Sequence, residues 1–253
     1  MINNIKLSAC IVTYNCADKI EQTVKSVVDK SQNLNLKLYI SDNNSTDNTL
    51  EIIRENFPTV TILENGGNKG FGWGHNKVLD IIDSEYHFVI NPDILVKDDT
   101  FETIINYLEK EKSVNLLCPK IMSPDGNEQM LALSNPKVKY LISRYFNIKK
   151  DWQEEYTKAN ERDKNIIDIQ FCTGCFMAIR TKVFKELGGF DERFFMYFED
   201  ADLTRRVNLK SRAVMLRETE VIHLWERAHT GSLKYFKIII VSMFKYFRKW
   251  RKK

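Results

Sequence analysis

From residue 5 to residue 118, short β-branched apolar runs alternate with amphipathic stretches, and that rhythm leaves the chain few architectures to adopt. Residues 5–13 (I-K-L-S-A-C-I-V-T) read as a buried strand, followed by a helix pattern in which Ile20, Val24, Val27 and Val28 share a face. Residues 36–41 form a second predicted strand, and Leu50, Ile53 and Phe57 mark the next helix. A third strand is expected at 60–63, then a helix bearing Val78, Leu79, Ile81 and Ile82 after the glycines at 66–74. A fourth strand at 86–90, a helix at 101–108 and a fifth strand at 114–118 continue the pattern. Parallel strands need long crossovers, and helices supply them, so the alternation predicts an α/β fold: a mostly parallel sheet covered by helices on both faces. At 253 residues with 43% apolar content, the chain can bury such a sheet in one large domain.

After Pro119 the alternation stops. Residues 134–168 are polar, charged and aromatic by turns (Tyr140, Tyr145, Phe146, Trp152, Tyr156) and read as an irregular or helical insertion. Residues 169–179 return to strand character, and Gly188-Gly189 turns the chain into F-F-M-Y-F-E-D-A-D-L-T-R-R at 194–206. In the last 20 residues, 234–253, eight bases stand with no acid; subtracting them from the 38 bases leaves 30 against 34 acids, so the body is net −4. An acidic body without a known nucleic-acid motif argues against a nucleic-acid partner. Five cysteines show no repeating framework, and the lone C-x-x-C at 172–175 lacks the second pair that a zinc site wants. A reducing, cytoplasmic setting is expected. The first eight residues carry no signal-peptide apolar core, and no window holds the ~18 consecutive apolar residues of a membrane span.

Three polar clusters fall at predicted strand ends, where open α/β sheets bind ligands: Thr13-Tyr14-Asn15, residues 42–47 with Asp42 and Asn44, and Asn91-Pro92-Asp93. A carboxylate at 42 can accept from a base N–H, and one at 93 can hold a divalent cation, because Mg²⁺ takes most of its ligands from phosphate and water. Each cluster is also a plausible turn or helix cap. The glycines at 66–74 follow the third strand, so they are not a dinucleotide fingerprint; they suit either a close backbone approach to a sugar or phosphate or a flexible turn. His223 can complete a metal site and Arg227 can pair with phosphate, while His223 is equally a plain interior histidine.

From Glu199 onward the spacing is helical. Asp200 lies beside the Leu203/Val207 stripe and is expected at the mouth of a cleft; Asp202 points the opposite way, four residues before Arg206, as a surface ion pair. First-turn acids complementing the helix dipole are the plainer alternative.

Taken in order, these segments resemble the family 2 glycosyltransferases of the GT-A fold, and within them bacterial rhamnosyltransferases of surface-polysaccharide synthesis. The resemblance runs from about residue 7 to 250. It rests on C-I-V-T-Y-N, S-D-N-N-S-T-D-N-T, N-x-G-F-G-x-G-H-N at 68–76, I-N-P-D-I at 90–94, C-T-G-C-F-M-A-I-R, the stretch from G-G-F-D to E-D-A-D-L, and V-I-H. It implies a nucleotide-sugar half at 1–118 and an acceptor and catalytic half at 119–232. Thr13, Tyr14, Asn15, Asp42, Asn44, Gly70, Gly72, Asn76 and Asn91 would serve the nucleotide sugar, with Glu199 and Arg227 also binding substrate. Asp93, with His223, would bind Mg²⁺ or Mn²⁺; Asn91 replaces the first aspartate of the family's Asp-x-Asp motif. Asp200 would be the base that deprotonates the acceptor. The implied reaction is inverting transfer, with dTDP-rhamnose the favoured donor and a polyprenyl-diphosphate-linked saccharide the acceptor. Galactose, glucose and N-acetylglucosamine donors remain on the same frame.

Residues 233–253 are predicted as a basic amphipathic helix. Phe236, Ile239, Ile240, Met243, Phe244, Phe247 and Trp250 gather on one side, with Lys237, Lys245, Arg248 and Lys249 on the other. Such a helix either docks on the protein's own core or lies on an anionic membrane surface at the inner face of the cell membrane. On the membrane reading, deletion of 246–253 spares activity on a soluble acceptor.

Overall fold

The computed structural model describes residues 4–224 and 233–251. Its elements run β1 (Leu7–Thr13), α1 (Ile20–Lys30), β2 (Leu36–Asp42), α2 (Thr49–Asn56), β3 (Thr61–Glu64), α3 (Phe71–Asn76), β4 (Tyr86–Ile90), β5 (Ile94–Val96), α4 (Thr100–Lys110) and β6 (Val114–Met122). There follow α5 (Val138–Phe146), α6 (Lys150–Thr157), β7 (Ile166–Asp168), β8 (Phe176–Arg180), α7 (Thr181–Glu186), α8 (Glu199–Asn208), β9 (Arg212–His223) and α9 (Leu233–Trp250).

The nine strands among the described residues form one sheet, in the order β3-β2-β1-β4-β8-β6-β9-β5, with β7 alongside β9. The expectation of a mostly parallel sheet holds for its first half. β3, β2, β1 and β4 pair in parallel, as do β6 and β9, but β8 runs antiparallel to both its neighbours, and β5 and β7 run antiparallel to β9. The sheet is therefore mixed. Along β1, Leu7, Ala9 and Ile11 enter the cluster covered by α1, α2 and α4, while Cys10 and Val12 enter the one that includes α7 and α8 residues. Burial on both faces explains why this strand reads as one apolar run rather than an alternation.

Several boundaries differ from the sequence reading, each for a physical reason. β6 continues through Pro119 to Met122, and the pairing with β9 slips between Pro119 and Lys120. A bulge tolerates a proline that a regular ladder would not. The same slip leaves Arg217, Glu218 and Thr219 outside the register, so the charged middle of β9 hid a twelve-residue strand. The expected helix at Val78–Ile82 comes earlier: the glycine stretch itself is helical, as α3. Gly72 and Gly74 permit close packing there, since a Cβ would meet Phe190 Cβ at 2.6 Å and Val12 Cγ1 at 2.7 Å. Of the 169–179 segment only the end is strand; residues 169–175 form a loop that passes beneath α8.

Candidate active site

The carboxyl ends of β1, β2 and β4 lie side by side, with Thr13 opposite Asp42 and Ile11 opposite Ile90. Thr13 and Asp42 are buried and bonded to each other: the threonine Oγ1 donates to Asp42 Oδ1 at 2.7 Å. Asp42 also accepts from the Ser45 hydroxyl at 2.6 Å and from the Ser45 amide at 2.8 Å. Most of its acceptor capacity thus braces its own loop. Asn15 and Asn44 are both left-handed (φ 50° and 70°), and Asn15 Oδ1 accepts from the Thr46 amide at 2.7 Å. Tyr14, Asn15 and Asn44 are exposed, and Tyr14, at 50%, has an aromatic face open to stack on a base.

Gly70, Gly72 and Asn76 are engaged by the protein itself. At φ 110°, a Cβ on Gly70 would stand 2.0 Å from Phe195 O, which accepts the Phe71 amide at 2.9 Å. Asn76 donates to Phe190 O at 2.9 Å and accepts from its amide at 2.8 Å. These residues serve the contact between the α3 segment and residues 189–195, so a ligand is not needed to explain them.

Asn91-Pro92-Asp93 bridges β4 and β5, with the Asn91 amide on Cys175 O at 2.9 Å. Asp93 Oδ1 is buried and accepts no hydrogen bond among the described residues; His223 Nε2 lies 3.3 Å from it without hydrogen-bond geometry. β5 pairing places Ile94 opposite His223, and that register sets the two side chains together. Gln129 fixes the imidazole. Its Nε2 donates to His223 O at 3.2 Å, which turns Oε1 towards His223 Nδ1 at 3.1 Å. An amide oxygen only accepts, so Nδ1 carries the proton and, in the neutral ring, Nε2 presents a lone pair towards Asp93. One carboxylate and one imidazole nitrogen suit a divalent cation that takes its other ligands from phosphate and water. Among the described residues no larger group of ligating side chains converges.

Phe198, the residue that caps the start of α8, follows Tyr197 in the left-handed region (φ 68° and 70°), an unusual pairing for two aromatic residues. Their side chains pack with Phe194, Tyr246 and Trp250, which holds the strained turn in place. Asp200 Oδ2 accepts from the Gly174 amide at 3.0 Å and Oδ1 from the Ala201 amide at 2.8 Å. No cation pairs with it among the described residues. Burial pushes its carboxyl up to about 6, against the pull of the Gly174 and Ala201 amides. Glu199 is 4% exposed, with Oε2 unpartnered. Burial, then the Asp200 charge, holds it well above the usual carboxylate range.

The C-T-G-C loop joins these parts, a role that the residue pattern alone did not disclose. Cys172 N donates to Thr204 Oγ1, Gly174 N to Asp200, and Cys175 O accepts from Asn91. Cys175 feels the charges of both Asp93 and Asp200, so the two carboxylates share one neighbourhood. The thiols are free and buried, and burial pushes both up, away from the thiolate form that reactive cysteines use. Arg227 lies outside the described residues. A hollow of about 450 Å³ between α1 and β5 contains none of these groups; its lysines pair with Asp29, Asp98 and Glu220.

Asp202 overturns the expectation of a surface pair. It is fully buried and receives Arg206 Nε at 2.8 Å, Lys249 Nζ at 2.6 Å and Trp250 Nε1 at 2.9 Å. It anchors α9 to the helix that carries Asp200. Deleting 246–253 would strip two of these three partners, so the expectation that the deletion spares catalysis is withdrawn.

The profile of glycosyl transferase family 2 matches residues 8–188. The rhamnosyltransferase WbbL of Escherichia coli K12 is 26% identical over 239 residues, covering 89% of this chain and 85% of its own. N-acetylglucosaminyl-diphospho-decaprenol L-rhamnosyltransferase of Mycobacterium tuberculosis is 24% identical over 240 residues, covering 88% and 77%. Among solved structures, a Pyrobaculum calidifontis mannosyltransferase in complex with GDP-Man and Mn²⁺ superposes with a TM-score of 0.67 at 17% identity. That match covers 98% of this chain and 65% of the mannosyltransferase, and it establishes a shared fold. With the profile spanning most of the chain and the strand-end carboxylates and α8 acid pair in place, the chain belongs to glycosyl transferase family 2 and is a glycosyltransferase of the GT-A fold.

Proposed function

We propose that the protein transfers L-rhamnose, with inversion, from dTDP-rhamnose to a saccharide carried on a polyprenyl diphosphate, at the inner face of the cell membrane. The observation that carries the reaction type is Asp200: a carboxylate held by two backbone amides, pushed up to about 6 and set at a strained helix start beside Asp93. The names of the two rhamnosyltransferases support the donor, and the diphospho-decaprenol in one of them supports the acceptor.

Asp200 takes the proton from the acceptor hydroxyl as that oxygen attacks the anomeric carbon. The Gly174 and Ala201 amides fix the direction of its oxygens. Tyr14 offers a stacking face for the base beside the Thr13–Asp42 brace. Asp93 and His223 would hold Mg²⁺ or Mn²⁺, which when bound offsets charge on the departing nucleoside diphosphate. Gln129 keeps His223 in the ligating tautomer.

The test is nucleoside-diphosphate release from a panel of dTDP- and UDP-sugars with a polyprenyl-diphosphate-linked N-acetylglucosamine acceptor. Release fastest from dTDP-rhamnose is expected, and loss of turnover in chelator. Faster turnover with another hexose would replace the donor, and full activity after exhaustive chelation would remove the metal role of Asp93 and His223.

A further inference from the structure

Large apolar side chains that face solvent are concentrated on α5 and α9. On α5, Ile142, Tyr145 and Phe146 are 43%, 69% and 64% exposed; on α9, Phe236, Ile240 and Phe244 are 45%, 42% and 67% exposed. The two sets meet: the Tyr145 and Phe236 rings lie 6.1 Å apart. Beneath them, Leu141 of α5 and Met243 of α9 pack on one shared cluster with Phe194, Phe198 and Tyr246. The surface therefore stands directly over the strained turn that leads into Glu199 and Asp200. An apolar patch of this extent marks an interaction site.

Charge selects the occupant. Residues 136–150 hold five bases and no acid, and 234–253 hold eight bases and no acid. Lys137 and Lys139 pair with Glu155, but Arg144, Lys149, Lys150, Lys237 and Arg248 make no ion pair with a carboxylate among the described residues. A second copy of the chain would bring the same positive charge to the contact. A surface of anionic phosphates with an apolar layer beneath matches both the bases and the aromatics. Nor does the apolar side expected for α9 survive as one stripe. Trp250 and Tyr246 are buried on the body, while the amino-terminal half of the helix stays open beside α5. No described helix is long and apolar enough to cross a membrane, so both would lie in its surface.

We propose that α5 and α9 together form a two-helix platform that seats the enzyme on an anionic bilayer, with Tyr145, Phe146, Phe236 and Phe244 entering the interface. This rests on the reading that the acceptor is lipid-linked, and places the acid pair beside the surface from which such an acceptor is presented.

The experiment is co-sedimentation of the full chain with phosphatidylglycerol–phosphatidylcholine vesicles and with pure phosphatidylcholine vesicles. Binding to the first and weak binding to the second are expected. Tyr145→Ser with Phe146→Ser, and separately Phe236→Ser with Phe244→Ser, should each weaken partitioning ~10-fold or more, since each pair removes two inserting aromatics. Arg144→Glu with Lys149→Glu, which leaves the apolar side chains in place, should weaken it as well. Transfer to a water-soluble acceptor should remain at the wild-type rate in all three. Wild-type binding by the α5 aromatic variant would overturn the platform. So would failure of the unaltered protein to bind either vesicle, or a dimer that disperses with these substitutions. Glycosyl transfer itself would fall only with turnover on the soluble acceptor, which is read separately.

Discussion

Asp200 and Asp202 sit two residues apart on α8 and occupy opposite surroundings. Among the described residues the Asp200 carboxylate accepts from two backbone amides and no cation, and burial pushes its carboxyl up to about 6. Asp202 is more deeply buried, yet Arg206, Lys249 and Trp250 converge on it. One face of the helix leaves a negative charge under-compensated, so it will accept a proton. The other face satisfies the charge and spends it on fastening α9. What separates a base from a structural anchor here is the set of donors around the carboxylate, since residue type and helix are the same.

The sharpest way to break this comparison is to neutralise each acid in turn. Asp200→Asn should reduce turnover ~10²–10⁴-fold while nucleoside-diphosphate binding, followed by calorimetry, stays near wild type. A variant that keeps more than about a tenth of the rate would remove Asp200 from the role of base. Asp202→Asn should act on stability instead. It leaves Arg206 and Lys249 without their shared carboxylate, at a cost of about 3 kcal/mol in denaturant unfolding; Asp191 and the Leu187 and Gly189 carbonyls soften the loss. An unchanged unfolding midpoint would show that the anchor carries no energy.

A pH series sharpens the same contrast. The Asp200 carboxyl is raised from 3.8 to about 6, so the rate should be half-maximal near that pH and fall ~10-fold per unit below it. The stability effect has the opposite sign. The folded state holds this proton more tightly than the unfolded chain, so the contribution is fully favourable below ~4 and is lost as pH rises through about 6. The loss across that range should be ~1–2 kcal/mol, the two-unit shift discounted for partial solvent access, and absent in Asp200→Asn, whose side chain does not titrate. Unchanged stability across that range would mean that the carboxylate is not desolvated. Trp250→Phe, which deletes one hydrogen bond to Asp202 and leaves a smaller ring beside Arg205, should cost ~1–2 kcal/mol in denaturant unfolding.

The contrast between the two halves of the chain follows the same logic. Strands β1 to β4 were legible because each is a short apolar run bounded by polar turns, and Tyr86–Ile90 matches its predicted limits. The twelve-residue β9 was not, because its charged middle belongs to a bulge whose existence depends on β6. α3 was displaced because glycine reads as a turn former, whereas here small size lets Phe190 and Val12 approach the helix.

By itself the sequence determined the α/β class, the strand-end positions of Thr13, Asp42 and Asp93, and the helix beginning at Glu199, since local periodicity and turn chemistry encode all of these. Only the tertiary structure decided what those groups do with their charge. Asp42 turned out to brace its own loop, Gly174 to orient Asp200, and Asp202 to hold a helix 48 residues away in the chain. A carboxylate's proton affinity and partners depend on donors brought together by folding from distant segments, and no spacing along the chain records that convergence.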